Sequence, residues 1–341
     1  MSKYINVSVV GATGYIGLEL IKLLVRHPKV RVKNICAQSS IGKSMYKFDS
    51  SLKKKSLPKI TSLASINFDN IDILFTALPN GEAQKISKKL TSKNKLIDLS
   101  ADFRLESPKN YKKWYNITHK SKNLIKHSIY SIPELIDIKL DKFKIIACPG
   151  CYPTSIQLPL VPIVKKGLIN TNGIIIDSKS GYSGAGKNLF KKFKFKNIYE
   201  SVSAYGISSH RHLAEIDQQL KKISKNKIEV QFTPHLSPMF RGILSTIYVN
   251  LNKNITARRI YKCLKKYYKN KHFIKFAKFN TPIGTGDVMD TNFCKISVCN
   301  GRIKNKAIIL SAIDNLIKGG SGQAIQNMNL LYGFNEQMGF K

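Results

Sequence analysis

The chain of 341 residues predicts an α/β fold: a Rossmann-type, doubly wound parallel sheet, followed by an α+β domain with a mostly antiparallel sheet. Three observations predict it. The N-terminal part alternates short β-branched runs with amphipathic helical stretches, the pattern of strands whose crossovers pack on both sheet faces. A glycine-spaced turn, Gly11, Gly14 and Gly17, joins the first run to the first helix. After residue 150 the strand candidates lengthen and follow one another closely, as in an antiparallel sheet. Apolar residues make up 43% of the chain, enough to bury two cores.

Taken in order, INVSVV is the first strand, a helical period runs from Tyr15 to Arg26, and RVKNICA and IDILFTALP are further strands. A helix follows from Glu82 to Leu90, and KLIDLS and FKIIACP complete the parallel set. The second domain carries GIIIDSKS, KIEVQFTP, GILSTIYVNL, FCKISVCN and RIKNKAIILSA. A last helical stretch, Ala312 to Leu331, is expected to pack back on the first domain. The expected boundaries are therefore 1–149 with 312–341 for a dinucleotide-binding domain, and 150–311 for a catalytic and substrate-binding domain. No internal repeat or long low-complexity linker interrupts them.

The N-terminus enters an apolar strand without the charged and apolar regions of a signal peptide, and no run of about 18 apolar residues occurs. A cytoplasmic protein without a membrane partner is expected. Six cysteines scattered over so long a chain do not form a disulfide framework, so reduced thiols are expected. The net charge of +37 raises nucleic acid as a partner, but only eight of the 57 basic residues are Arg, whose planar fork reads guanine and phosphate. A diffuse lysine excess reads as a solvated basic surface, and no specific nucleic-acid partner is expected. NLFKKFKFKN (188 to 197) interleaves Lys and Phe as a single-strand-binding segment would, and as a half-buried edge with a wet lysine face would. LKKKSLPK (52 to 59) reads as a solvated loop.

Gly11, Gly14 and Gly17 follow a strand and open a helix, with Thr13 and Tyr15 in the same turn. There a side chain would block a pyrophosphate from the backbone, and the helix N-terminus offers unpaired N–H groups at the positive end of its dipole. The next strand ends in Gln38, Ser39 and Ser40, with Lys43 close behind, where NAD sites place an acidic residue for the ribose 2′-hydroxyl. Hydroxyls plus a cation suit a 2′-phosphate, so the expected cofactor is NADP(H).

ACPGCYPTS (147 to 155) holds two cysteines. Cys151 follows a Pro-Gly turn and precedes an expected helix over 154 to 166, where free N–H groups stabilise a thiolate and could hold an oxyanion. Cys148 belongs to the strand end. A metal site needs a second pair, and Cys294 and Cys299 are separated by four residues in a strand candidate, so no metal is expected. A thioredoxin-like redox pair and an inert buried thiol are the other readings. A thiolate beside a nicotinamide implies reduction of an activated acyl group through a thioacyl-enzyme, or its reverse. That chemistry needs a proton-transfer group. SSHRHLAEIDQQL offers His210 and His212, two apart, with Glu215 in the helix that follows.

GATGYIG (11 to 17), LSADFRL (99 to 105), PGCYPT (149 to 154), SGYSGAGK (180 to 187), HRHLAEI (210 to 216), FTPHLSPMFRGI (232 to 243) and GQAIQNMNL (322 to 330) together resemble the N-acetyl-gamma-glutamyl-phosphate reductases, relatives of aspartate-semialdehyde dehydrogenase. The resemblance spans essentially the whole chain. It implies NADPH-dependent reduction of N-acetyl-gamma-glutamyl phosphate to N-acetylglutamate 5-semialdehyde with release of phosphate, in arginine biosynthesis, by a homodimer or homotetramer. Cys151 matches the acyl-accepting nucleophile, and His210 or His212 the acid/base, with His210 the first choice. Ser100, Arg104, Glu215 and Arg241 lie in segments implied to face the substrate. Ser183, Gly184 and Gly186 match a small-residue loop near nicotinamide or phosphate, and Asn327 a cofactor-side amide. Cys148 replaces a common Asn, Ser155 and Pro159 replace small residues, and Leu213-Ala214 stands where a Pro often precedes Glu. A relative acting on a carrier-linked aminoadipyl phosphate is the alternative within the same chemistry. A catalytically silent NADP-binding regulator that binds nucleic acid is the alternative from another class.

Overall fold

The computed structural model describes residues 4–187 and 200–340. The segment NLFKKFKFKN lies outside the described residues. The chain divides into two compact units, the first formed by 1–149 and 320–341, the second by 150–319.

The first unit is built on strands β1 (Ile5–Val10), β2 (Val30–Cys36), β3 (Ile60–Thr61), β4 (Ile73–Thr76), β5 (Lys95–Asp98), β6 (Ser128–Tyr130) and β7 (Ile145–Ala147). They form one sheet in the order β3-β2-β1-β4-β5-β7-β6, every pairing parallel. The order runs outward in both directions from β1 and β4, so their C-terminal ends form the switch point at which such sheets open a crevice. Helices α1 (Tyr15–Arg26), α2 (Glu82–Ser87), α3 (Pro108–Tyr115) and α4 (Lys122–Ile125) connect the strands. Val7, Val9, Leu74, Phe75, Leu96, Ile97, Ile145 and Ile146 are buried on both faces of the sheet, as continuous β-branched runs require.

The second unit opens with α5 (Cys151–Lys165), buried over almost its whole length. The helix begins at Cys151 itself, three residues earlier than the period alone suggests, because extended Gly150 serves as its cap. Pro153 fits in the first turn, where its missing N–H would have had no partner in the helix. The sheet order is β12 (Ile274–Phe276), β13 (Cys294–Asn300), β14 (Lys306–Ile313), β11 (Ile243–Asn250), β8 (Ile174–Gly181), β10 (Val230–Ser237) and β9 (Ser203–Ala204). It is mixed: β8/β10 and β12/β13 are parallel and the other pairings antiparallel. Helices α6 (His212–Ile223) and α7 (Ala257–Tyr267) complete the unit, and α5 packs against both.

The C-terminal return differs from the sequence expectation. Ala312 and Ile313 are not helical but end β14, paired with β11 and β13. A π-turn, Ile317–Ser321, precedes α8 (Gly322–Leu331), and the chain rejoins the first unit between Gly319 and Gly320. The apolar run IILSAI pairs into the sheet as β-branched segments do, and the helical period begins only beyond it.

Candidate active site

In the first unit the glycine turn lies at the switch point. Gly11 has φ +86°, and a Cβ there would come within 2.2 Å of the Ala77 carbonyl oxygen at the end of β4. A Cβ on Gly17 would meet the Gly11 oxygen at 2.2 Å, so this glycine lets α1 close onto the turn. Gly14 differs: the only atom near its Cβ position is the Gly11 oxygen, 3.5 Å away. It is the extended N-cap of α1 and makes no side-chain cap. Two glycines thus fold the cradle and the third keeps it open, which fits a dinucleotide pyrophosphate; Thr13 lies in the same turn. Ser39 and Lys43 are exposed just beyond β2, while Ser40 is buried.

Several residues expected to meet ligand have internal partners in this unit. Ser100 Oγ accepts the Leu78 N–H at 3.2 Å, and the Ser100 N–H binds Asp98 Oδ1 at 2.9 Å. Arg104 is buried and donates from Nε to the Cys148 carbonyl (2.8 Å) and from Nη2 to that of Leu99 (2.9 Å), tying together the ends of β5 and β7. Asn327 on α8 is buried; its Oδ1 accepts the Ser131 hydroxyl at 2.5 Å and its amide reaches Cys148 Sγ at 3.7 Å. Cys148 is wholly buried, and burial followed by the charge of Asp98 pushes its thiol up to about 12, so it stays protonated. Asp98 is itself pushed up, by burial and by Asp102. Asp102 accepts N–H bonds from Gly81 and Gln84 and the Tyr111 hydroxyl.

In the second unit Cys151 is the first residue of a long helix and is partly exposed. A Cβ on Gly319 would fall 2.7 Å from that of Cys151, so the π-turn comes this close only as glycine. The Gly150 N–H donates to Glu215 Oε2 at 2.9 Å, and Glu215 Oε1 lies 3.9 Å from His212 Nε2. A Cβ on Gly150 would meet His212 Nε2 at 2.4 Å, so the imidazole occupies the space that a side chain at the cap would need. Glu215 is wholly buried. His210 is enclosed by the rings of Tyr152, Tyr205, Phe232 and His212, and its Nδ1 accepts the His212 N–H at 3.2 Å. Burial, and then the neighbouring Arg211, pushes its imidazole down to about 4. Tyr152 donates to the His235 carbonyl at 3.2 Å, and the Tyr205 hydroxyl donates to that of Tyr152 at 3.2 Å.

The remaining expected residues of this unit lie on its loops. Ser183 Oγ accepts from the Asn315 amide at 3.0 Å, Gly184 packs 3.0 Å from Ser180 Oγ at its Cβ position, and Gly186 has φ +81° with open space around it. Arg241 pairs with Asp290 (2.5 Å) and the buried Asp314 (3.1 Å), so two carboxylates hold its fork. Gly150, Tyr152, Tyr205 and Phe232 are members of the cluster to which the sequence assigned no role. Adjacency to Cys151 could have signalled Gly150 and Tyr152, and nothing local could have signalled the other two.

Residues 6–143 match the family described as semialdehyde dehydrogenase, NAD binding domain, and residues 151–315 the one described as semialdehyde dehydrogenase, dimerisation domain. A chloroplastic protein of Arabidopsis thaliana named probable N-acetyl-gamma-glutamyl-phosphate reductase is 41% identical, covering 99% of this chain and 84% of its own. An N-acetyl-gamma-glutamyl-phosphate reductase of Desulforamulus reducens is 41% identical over 97% and 96% of the two chains. The crystal structure of aspartate semialdehyde dehydrogenase II from Vibrio cholerae shares the fold with a TM-score of 0.73 at 18% identity, covering 97% of this chain and 99% of that one. Aspartate semialdehyde dehydrogenase with NADP from Candida albicans does so with a TM-score of 0.64 at 18% identity over 97% and 99%. Among the described residues no helix is long and apolar enough to cross a membrane.

Proposed function

We propose that this chain, which belongs to the N-acetyl-gamma-glutamyl-phosphate reductase family, reduces N-acetyl-gamma-glutamyl phosphate to the 5-semialdehyde with NADPH, through a thioacyl intermediate on Cys151. The observation that carries the reading is the cluster at the start of α5: a partly exposed thiol at the first helical position, with an imidazole and a buried carboxylate locked around the glycine before it.

The Cys151 thiolate attacks the acyl carbonyl and phosphate leaves, forming a thioester. The positive end of the α5 dipole, where the reacting sulfur sits, stabilises the oxyanion formed in that attack and again in the thiohemiacetal. NADPH, when bound, supplies the hydride that takes the thioester to the thiohemiacetal level. His212 takes the thiol proton and returns it to the sulfur as the C–S bond breaks and the aldehyde leaves, with the buried Glu215 carboxylate 3.9 Å from its ring. His212 takes this role rather than His210, because an imidazole pushed down to about 4 carries no proton to give near neutrality. Exposed Ser39 and Lys43 receive the 2′-phosphate, and the open face of Gly14 receives the pyrophosphate. The open face of the second sheet, with Ile175 and Tyr248 exposed, joins copies of the chain into a homodimer or a homotetramer.

The test is the reverse reaction, semialdehyde plus phosphate plus NADP, run on the wild type and on Cys151→Ser. Loss of more than about 10³-fold in phosphate-dependent NADPH formation, with NADP affinity kept, is expected. Retained turnover in the variant removes the thioacyl mechanism. A wild type that turns over carrier-linked acyl phosphate, and not the free one, moves the substrate assignment to the alternative.

A further inference from the structure

The lysine excess of this chain is not evenly distributed on the folded protein. Between Glu229 and Asp287 the sequence holds no acidic residue, and the 21 positions from Arg258 to Lys278 hold nine basic ones. They fall on α7, the turn that follows it, strand β12 and the residues just beyond it. Helix α7 buries Ala257, Ile260 and Leu264 and turns its charged face outward; eight of the nine cations are exposed and Lys271 is half-buried. None of the nine forms an ion pair with a carboxylate among the described residues.

Arg258, Lys262, Lys265 and Lys269 repeat at helical spacing and form one stripe, in steps of about 4.5–6 Å along the axis. The stripe leads into a concavity of about 540 Å³ lined by Lys265, Lys269, Lys271 and Lys275 with Tyr268 and His272. Aromatic rings accompany the charges: Arg258 lies 4.5 Å over Phe279, Lys265 5.5 Å over Tyr261 and Lys275 4.7 Å over Phe293. We propose that this face binds the phosphodiester backbone of single-stranded nucleic acid without regard to sequence.

Two features favour that partner over a protein. A stable protein interface centres on an exposed apolar or aromatic anchor, and among the described residues the exposed large apolar side chains all lie elsewhere, the nearest in sequence being Tyr248 and Met289. A second copy would bring the same uncompensated charge to the contact. A phosphate backbone needs no anchor, because its affinity comes from releasing counterions as cations replace them. Lysine, a strongly hydrated point charge, suits contacts that carry no base readout.

The experiment measures fluorescence anisotropy of a labelled 20-nucleotide poly(U) RNA from 50 to 200 mM salt. It compares the wild type with K262E/K265E/K269E on α7 and with K109E/K112E/K113E on α3, an exposed lysine triplet on the first unit. Both variants change net charge by the same amount. The α7 variant is expected to bind about 100-fold more weakly at 50 mM salt and to flatten the slope of log K against log salt by about 2. The α3 variant should stay within about threefold of the wild type. Unchanged melting temperature and NADPH-dependent turnover in both confirm an intact fold. Equal losses in the two variants would make the charge diffuse and overturn the proposal, as would a wild type that leaves RNA free at 50 mM salt. Tighter binding of polyglutamate than of RNA would assign the face to an acidic protein instead.

Discussion

Two helices of this molecule begin almost identically and are used in opposite ways. Gly14 caps α1 with φ −69° and ψ 165°, and Gly150 caps α5 with φ −67° and ψ 159°, neither with a side-chain cap. Around Gly14 the Cβ position is open, with only the Gly11 oxygen near it, 3.5 Å away. Around Gly150 the same space holds the His212 ring, and the glycine N–H is bound to Glu215. A helix N-terminus is a generic anion site. What the protein packs against it differs at the two caps, and the proposed roles, cofactor phosphate at one and acyl oxyanion at the other, rest on that difference.

Filling each glycine tests that contrast. Gly150→Ala has the largest expected effect: the methyl group drives the His212 ring out of place, and displacements of that size cost about 10²-fold in kcat. NADPH affinity, measured by fluorescence titration, should stay within about twofold. A variant that keeps kcat would mean that the imidazole is not held where turnover needs it.

The enclosure of His210 gives the second junction a pH signature. Its folded pKa of about 4 lies below the ordinary value of 6.5. At neutral pH the ring is uncharged in both folded and unfolded chains and contributes nothing to pH dependence. Between about 6.5 and 4 the unfolded chain takes up a proton that the folded one does not, so stability falls as pH falls, by about 3 kcal/mol in full. Urea unfolding at pH 7 and 4.5 should show this loss in the wild type and a smaller one in His210→Asn.

At the first junction Gly14→Ala should leave the melting temperature nearly unchanged and weaken NADPH binding about tenfold, since it intrudes only on the ligand's space. The smallest effect belongs to Lys43→Ala, which should lower preference for NADP over NAD by about fivefold in kcat/KM. An unchanged preference there would move 2′-phosphate recognition to other residues.

Much of this was legible in order along the chain. Short β-branched runs spaced by helical periods predict the parallel sheet, and Gly11, Gly14 and Gly17 mark its switch point, because local spacing alone specifies both. Helix α7 is not legible in the same way, because only Ala257, Ile260 and Leu264 carry its apolar period, among five basic residues. The internal partners of Arg104, Arg241 and Glu215 could not be read from the sequence. Each is a charged residue in a motif, and whether such a group meets a ligand or a buried partner depends on positions 44 to 73 residues away.

The sequence by itself therefore determined the fold class, the position of the glycine cradle and the choice of Cys151 over Cys148 as the thiol at a helix start. Only the tertiary structure decided which of two histidines stands beside the Gly150 cap and which carboxylate holds it. It also gathered the basic residues of one helix into a single uncompensated face. Periodicity and turn chemistry act between neighbours in the chain, whereas burial and charge pairing act between neighbours in space.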